Sequence, residues 1–149
     1  MKERINLQFK QGQPPQLVAL ARSEKLRIAP SMVWFVIDTG SPMTFFSQAE
    51  TKILKIPLEG RREKEVIQFG GFNFKSIETE DFNIYMLIDK NNFNITHKMD
   101  AIKVTRMSED ARIKAESLPS IMGMDFLKKH NLSLHIYPAE ELACLQRED

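Results

Sequence analysis

Short runs in which apolar and polar residues alternate, broken by Gly and Pro, dominate the chain, and each such run predicts a half-buried strand. Ile5, Leu7 and Phe9 alternate with polar neighbours, and Leu17 to Ala21 resumes an apolar stretch after the break at Gln11-Gly12-Gln13-Pro14-Pro15. The two segments are expected to pair like a hairpin. Ala29-Pro30-Ser31 predicts the next stop. Met32-Val33-Trp34-Phe35-Val36-Ile37 then runs six apolar residues, rich in β-branched and aromatic types. It predicts a strand buried on both faces, with Trp34 in the core strand or its barrel packing. Ser47 and Glu50 have capping-box spacing and predict a short helix from Ser47 to Leu54, stopping before Pro57. Val66-Ile67-Gln68 and Asn73-Phe74-Lys75 look extended around Phe69-Gly70-Gly71-Phe72, whose paired glycines suit a tight hairpin turn.

Phe82 to Ile88 and Ala101 to Thr105 are further strands, and Ser108 to Ala115 reads as a short helix or an excursion. Gly123 to Asn131 has helical spacing with cations in its last turn and Asn131 as the stop, and Leu132, Leu134 and Ile136 alternate after it. Pro138-Ala139-Glu140-Glu141 opens either a terminal helix, with Leu142 and Leu145 docked on the barrel or a second copy, or a terminal strand in an intersubunit sheet. The sum is an all-β chain with one or two short helices, the pattern of a closed or partly closed β-barrel.

Length and charge narrow the function classes. A chain of 149 residues makes one domain over 1–149, and 42% hydrophobic with 28% charged residues is a globular balance. Lys+Arg (21) and Asp+Glu (20) nearly cancel, which argues against nucleic acid as the main partner. A single cysteine, Cys144, excludes an intramolecular disulfide and favours a reducing compartment. The first residues hold no apolar signal core and no run approaches the ~20 residues of a membrane span, so the expectation is a cytoplasmic protein without membrane partners.

The chemistry centres on Asp38. A carboxylate directly after a fully apolar strand is costly to bury unpaired, so it belongs at the strand's end, hydrogen-bonded by the turn that follows. Thr39 offers a hydroxyl, and Gly40 lets backbone N–H groups come close. Asp-x-Gly is also a common plain turn, and the triplet alone leaves both readings open. A second segment, Leu118-Pro119-Ser120-Ile121-Met122-Gly123-Met124-Asp125-Phe126-Leu127, leads apolar-apolar-Gly straight into a short helix. His97, His130 and His135 lack a metal spacing and read as structural or surface residues. Cys144 reads as buried rather than nucleophilic, with no Cys-His arrangement to activate it. Neither metal nor cofactor is expected.

Taken in order, Ile37-Asp38-Thr39-Gly40-Ser41, Phe69-Gly70-Gly71-Phe72 and Ile121-Met122-Gly123 resemble the retropepsin-like aspartic protease family over most of the chain. They stand at its catalytic signature, the glycine-rich tip of its flap hairpin, and the apolar-apolar-Gly beside the catalytic loop. Asp38 through Ser47 and Gly123 through His130 look most like the protease-like domain of DNA-damage-inducible ubiquitin-shuttle proteins and like retrotransposon proteases. Viral enzymes place an acidic residue at Pro42 and an Arg at Met124, which pair; neither is present, so other contacts must hold the loop. The span between Asp38 and Gly123 is longer than in compact viral enzymes, with the extra chain expected around Asn91 to Ser117 as a lid, a dimer contact or surface decoration.

The resemblance implies a retropepsin-like barrel and an aspartic endopeptidase that works as a homodimer, because one chain carries only one Asp-Thr-Gly. Asp38 and its twofold mate would share one proton across an activated water. Thr39 would lock the two loops across the axis. Gly40, Ser41, Phe69, Gly70, Gly71, Phe72 and Ile121 would line the site for an extended peptide or protein substrate with apolar side chains in pockets. A Ser41 hydroxyl donating to the ionised carboxylate would favour its charged form and make the pH optimum more acidic than in an Ala variant. The alternative is a catalytically silent dimerisation or peptide-binding module of the same fold. A third reading, a phosphate-binding loop of an actin-like ATPase, is disfavoured by the short chain and by the lack of an evident second phosphate loop.

Overall fold

The computed structural model describes residues 4–10, 12–69, 72–86, 94–104 and 117–147. They form β1 (Arg4–Asn6), β2 (Gln16–Ser23), β3 (Ile28–Ile37), β4 (Phe45–Phe46), α1 (Gln48–Ile53), β5 (Glu63–Phe69), β6 (Phe72–Met86), β7 (Asn94–Val104), β8 (Ser120–Met122), α2 (Met124–Lys129), β9 (Leu132–Tyr137) and β10 (Leu142–Arg147). The larger sheet runs β2-β3-β8-β4-β7-β6-β5, and β6 returns to pair with β2. Six strands thereby close into a retropepsin-like barrel, with β5 paired to the rest only through β6. A separate three-stranded sheet runs β1-β10-β9. No described helix is long and apolar enough to cross a membrane.

The barrel core follows from strand alternation. On β2, Leu17, Ala19, Ala21 and Ser23 point inward; on β3, Val33, Phe35 and Ile37 do. The register places Leu17 beside Phe35 and Ala19 beside Val33 on the inner face, where each pair packs side by side. Phe46 joins both sides of the interior, 6.0 Å from the Phe35 ring and 4.9 Å, edge-on, from Phe82.

Four expectations from the sequence need correction. The Met32 to Ile37 run is not buried on both faces: Met32 is 60% and Trp34 44% exposed in this chain. A barrel strand has one inner face, and the run is continuous only because its outward positions are apolar as well. Trp34 lies outside the core, opposite Val18 on β2. Ala29-Pro30-Ser31 does not stop the strand but lies within β3, where the ladder between Ala21 and Ser23 shifts register. Proline, lacking a donor, is tolerated in a sheet at such an irregularity.

The early hairpin shrinks to one bridge, Gln8 with Gln16, because Pro14 and Pro15 cannot extend a ladder. The chain before it pairs instead with β10, Ile5 opposite Leu145. After a single 3₁₀ turn at Pro138–Glu140 and a left-handed Glu141 (φ 51°), the C-terminus continues as that strand rather than as a helix. It pairs within its own chain, burying Cys144 and Leu145, and Leu142 stays exposed.

Both helices form where capping chemistry predicts. Ser47 accepts from the Glu50 N–H at 3.0 Å, while its own N–H goes to the buried Ser120 hydroxyl at 3.0 Å, which ties α1 to β8. Asn131 stops α2 in the left-handed region at φ 52°. The segments 91–93 and 105–116, which hold part of the expected extra chain and the whole Ser108 to Ala115 element, lie outside the described residues.

Candidate active site

β3 and β8 run parallel, with Val36 opposite Ile121 and Ile37 opposite Met122. The ladder's last bond, from the Asp38 N–H to the Met122 carbonyl (3.1 Å), brings Asp38 to the mouth of the barrel. The chain then turns: the Ser41 N–H reaches the Asp38 carbonyl at 3.1 Å, and the Gly40 N–H donates to Asp38 Oδ1 at 2.9 Å. Asp38 is half-buried, and Thr39 and Gly40 are exposed. Gly40 is needed for closeness, since a Cβ there would stand 3.1 Å from Asp38 Oδ1.

The Ser41 hydroxyl does not serve Asp38. It is 7% exposed and donates to the Met43 carbonyl at 2.8 Å, a local turn that uses its one proton. The expected acid shift of the pH optimum through Ser41 therefore has no donor behind it.

The start of α2 holds the loop where a carboxylate–arginine pair is lacking. A helix leaves its first four N–H groups without partners inside the helix. Here the Gly123 N–H donates to Thr44 Oγ1 at 2.9 Å, and the Met124 and Asp125 N–H groups reach the Ser41 and Pro42 carbonyls at 2.8 and 3.3 Å. The Phe126 N–H donates to Asp125 Oδ1 at 2.7 Å, and the Thr44 hydroxyl donates a hydrogen bond to that same oxygen at 2.7 Å. Gly123 makes the approach feasible: an added Cβ would lie 2.4 Å from the Met43 carbonyl oxygen and 2.6 Å from that of Ser41.

Thr44, Asp125 and His97 are the residues that sequence reasoning missed. Burial alone would raise the Asp125 carboxyl, but the close His97 ring and bonds from the Thr44 hydroxyl and the Thr44 and Phe126 N–H groups outweigh it and hold it at about 2. His97, 6% exposed, approaches Asp125 Oδ2 at 3.5 Å and packs edge-on to Phe126. His130 stacks behind, 4.7 Å from the Phe126 ring. Burial first, then the charges of His97, Lys129 and Arg147, lower it to about 4.

A pH prediction follows. His130 titrates below its unfolded value of 6.5, so its stability contribution is complete above pH 6.5 and is lost as pH falls toward 4. Partial exposure discounts the effect to on the order of 1 kcal/mol. Asp125 adds a second loss between pH 3.8 and 2. Melting temperature measured against pH should fall across the first window, and His130→Phe should flatten that part of the curve; an unchanged slope would show that His130 does not drive it.

The remaining expected site residues are placed as follows. Ile121 is buried, packed among Phe45, Phe74 and Ile102. Phe69 and Phe72 are opposite partners at the end of the β5–β6 hairpin, and Gly70 and Gly71 between them lie outside the described residues. Beside Thr39 an open groove of about 580 Å³ is walled by Met124, Leu127, Leu132, Leu134 and Ile136. Among the described residues, no three His, Cys, Asp or Glu side chains gather as metal ligands do.

The fold and the braced Asp-Thr-Gly turn define the class to which the chain is comparable, a retropepsin-like barrel. The crystal structure of a retropepsin-like aspartic protease from Rickettsia conorii superposes with a TM-score of 0.57, covering 99% of this chain and 92% of that one at 11% identity. At that identity the likeness is one of fold. No family model matches the chain, and neither does any curated protein.

Proposed function

We propose that the chain is one half of a homodimeric aspartic endopeptidase, cleaving extended peptide segments with a water held between Asp38 and its twofold mate. The observation that carries this reading is the turn itself: Asp38 Oδ1 is fixed by the Gly40 N–H at 2.9 Å on an exposed loop braced from beneath by α2. Two carboxylates brought together at a twofold axis cannot both ionise readily and share a proton. The ionised one takes a proton from the attacking water, and the protonated one donates to the scissile carbonyl oxygen. Thr39 of each chain would lock the paired loops. The substrate would lie between Gly40 and Ser41 below and the β5–β6 hairpin above, with Phe69, Gly70, Gly71 and Phe72 as a flap and Ile121 shaping the pocket from beneath.

The groove beside Thr39 supports docking of a second copy. Apolar side chains make up most of its lining, with Lys128, Asn131 and Ser133 among them, it adjoins the Asp38 turn, and β9 on its rim has β10 as its one paired neighbour among the described residues. Ile136 and Tyr137 on that strand are 42% and 46% exposed, the state of an edge that a partner would cover. Ile136→Lys, at an exposed position, should keep the fold and weaken the dimer by about tenfold or more. Sedimentation and peptide cleavage should fall together with dilution. A variant that stays monomeric yet cleaves at the normal rate would overturn the shared-site reading.

A further inference from the structure

An open cavity of about 460 Å³ lies where the base of the β5–β6 hairpin meets the β2–β3 turn, and no residue of the Asp38 loop lines it. Its walls carry four cations, Lys25, Arg61, Arg62 and Lys98, against two carboxylates, Glu78 and Asp81. Lys98 pairs with Glu78, and Lys25 and Arg61 have partners of their own. The four cations come from three separate stretches of chain, which the fold gathers on one cavity.

The strand geometry indicates a built site rather than scattered surface charge. In a regular strand Glu78 and Thr79 would face opposite sides. The ladder between β6 and β7 is irregular from Glu78 to Asp81, and such a bulge re-aims side chains, so that 78, 79 and 81 all line one cavity. Thr79 is 3% exposed, and its hydroxyl has no hydrogen-bond partner among the described residues. A buried hydroxyl is seldom left unpaired. Across the cavity, Gly60 adopts φ 72° to turn the chain, and the Glu78 N–H holds the next loop through the Arg62 carbonyl at 3.0 Å.

We infer that this cavity binds a small multivalent phosphate. Arg61 and Arg62 supply guanidinium forks suited to phosphate oxygens. Lys25 closes from the opposite turn, and the Thr79 hydroxyl donates from the floor. The volume lies within the ~300–1,000 Å³ of small-molecule sites, room for more than one phosphoryl group. This site is independent of Asp38 chemistry.

The test is calorimetric titration of the full chain with inorganic tripolyphosphate at fixed ionic strength. Saturable one-to-one binding is expected. Paired Lys25→Ala and Arg61→Ala substitutions should weaken it about tenfold or more, and Thr79→Val, which keeps shape and removes the donor, by about fivefold. Paired Lys10→Ala and Lys52→Ala substitutions, equal in charge, exposed and absent from the cavity lining, should leave it unchanged. Non-saturable binding, an equal loss in that control pair, or full affinity in Thr79→Val would overturn the site.

Discussion

Asp38→Asn should remove the proposed peptide cleavage, by about 10³-fold or more, and leave both the fold and the proposed dimer in place. The asparagine oxygen still accepts the Gly40 N–H that Asp38 Oδ1 now receives at 2.9 Å, so the turn keeps its shape. What is lost is the only group on the turn able to take a proton from water. Cleavage of an extended fluorogenic peptide, read beside sedimentation of the same samples, separates three outcomes. An inactive dimer beside an active parent supports the peptidase. Retained cleavage shows that the base lies elsewhere. A parent that dimerises but never cleaves identifies a silent peptide-binding or dimerisation module.

Gly123→Ala should give the second large effect, on stability as well as on the proposed activity. Its Cβ would stand 2.4 Å from the Met43 carbonyl oxygen and 2.6 Å from that of Ser41. Both contacts are backbone, so no side-chain rotation relieves them. Either the catalytic loop moves off α2, breaking the bonds to the Ser41 and Pro42 carbonyls and to Thr44, or α2 retracts. Either route should cost about 3 kcal/mol or more in urea unfolding. Gly40→Ala is the informative contrast. Its Cβ meets one side-chain oxygen, Asp38 Oδ1, at 3.1 Å. Stability should change little while cleavage falls, because the carboxylate itself is pushed aside. Equal stability losses in the two variants would contradict this division of roles.

The elements that local chemistry dictates were readable from the sequence: the Ser47 cap, the Asn131 stop, and the strand that delivers Asp38. The turn was readable too, since an apolar strand ending in Asp-Thr-Gly has few ways to satisfy its carboxylate. Non-local features were hidden. Whether Trp34 faces in or out depends on β3 being part of a closed barrel, and an apolar residue on each face gives no alternation to decide it. The bracing of Thr44 by Asp125 joins residues 81 positions apart, and neither residue type is unusual where it stands. Ser41 misled for the opposite reason. A serine beside a carboxylate invites a bond between them, yet the carbonyl two residues on is nearer to its proton. The terminal strand was one of two open readings, and a single 3₁₀ turn at Pro138 decides it against a helix.

Everything proposed for Asp38 depends on a second copy, and the carboxylate separation in the proposed dimer tests that dependence. A crystal structure of the dimer should place the two Asp38 side chains within hydrogen-bond reach across a twofold axis, about 3 Å apart, with one water between them and the substrate cleft. A dimer that holds the two carboxylates too far apart to share one water contradicts the peptidase mechanism for this chain.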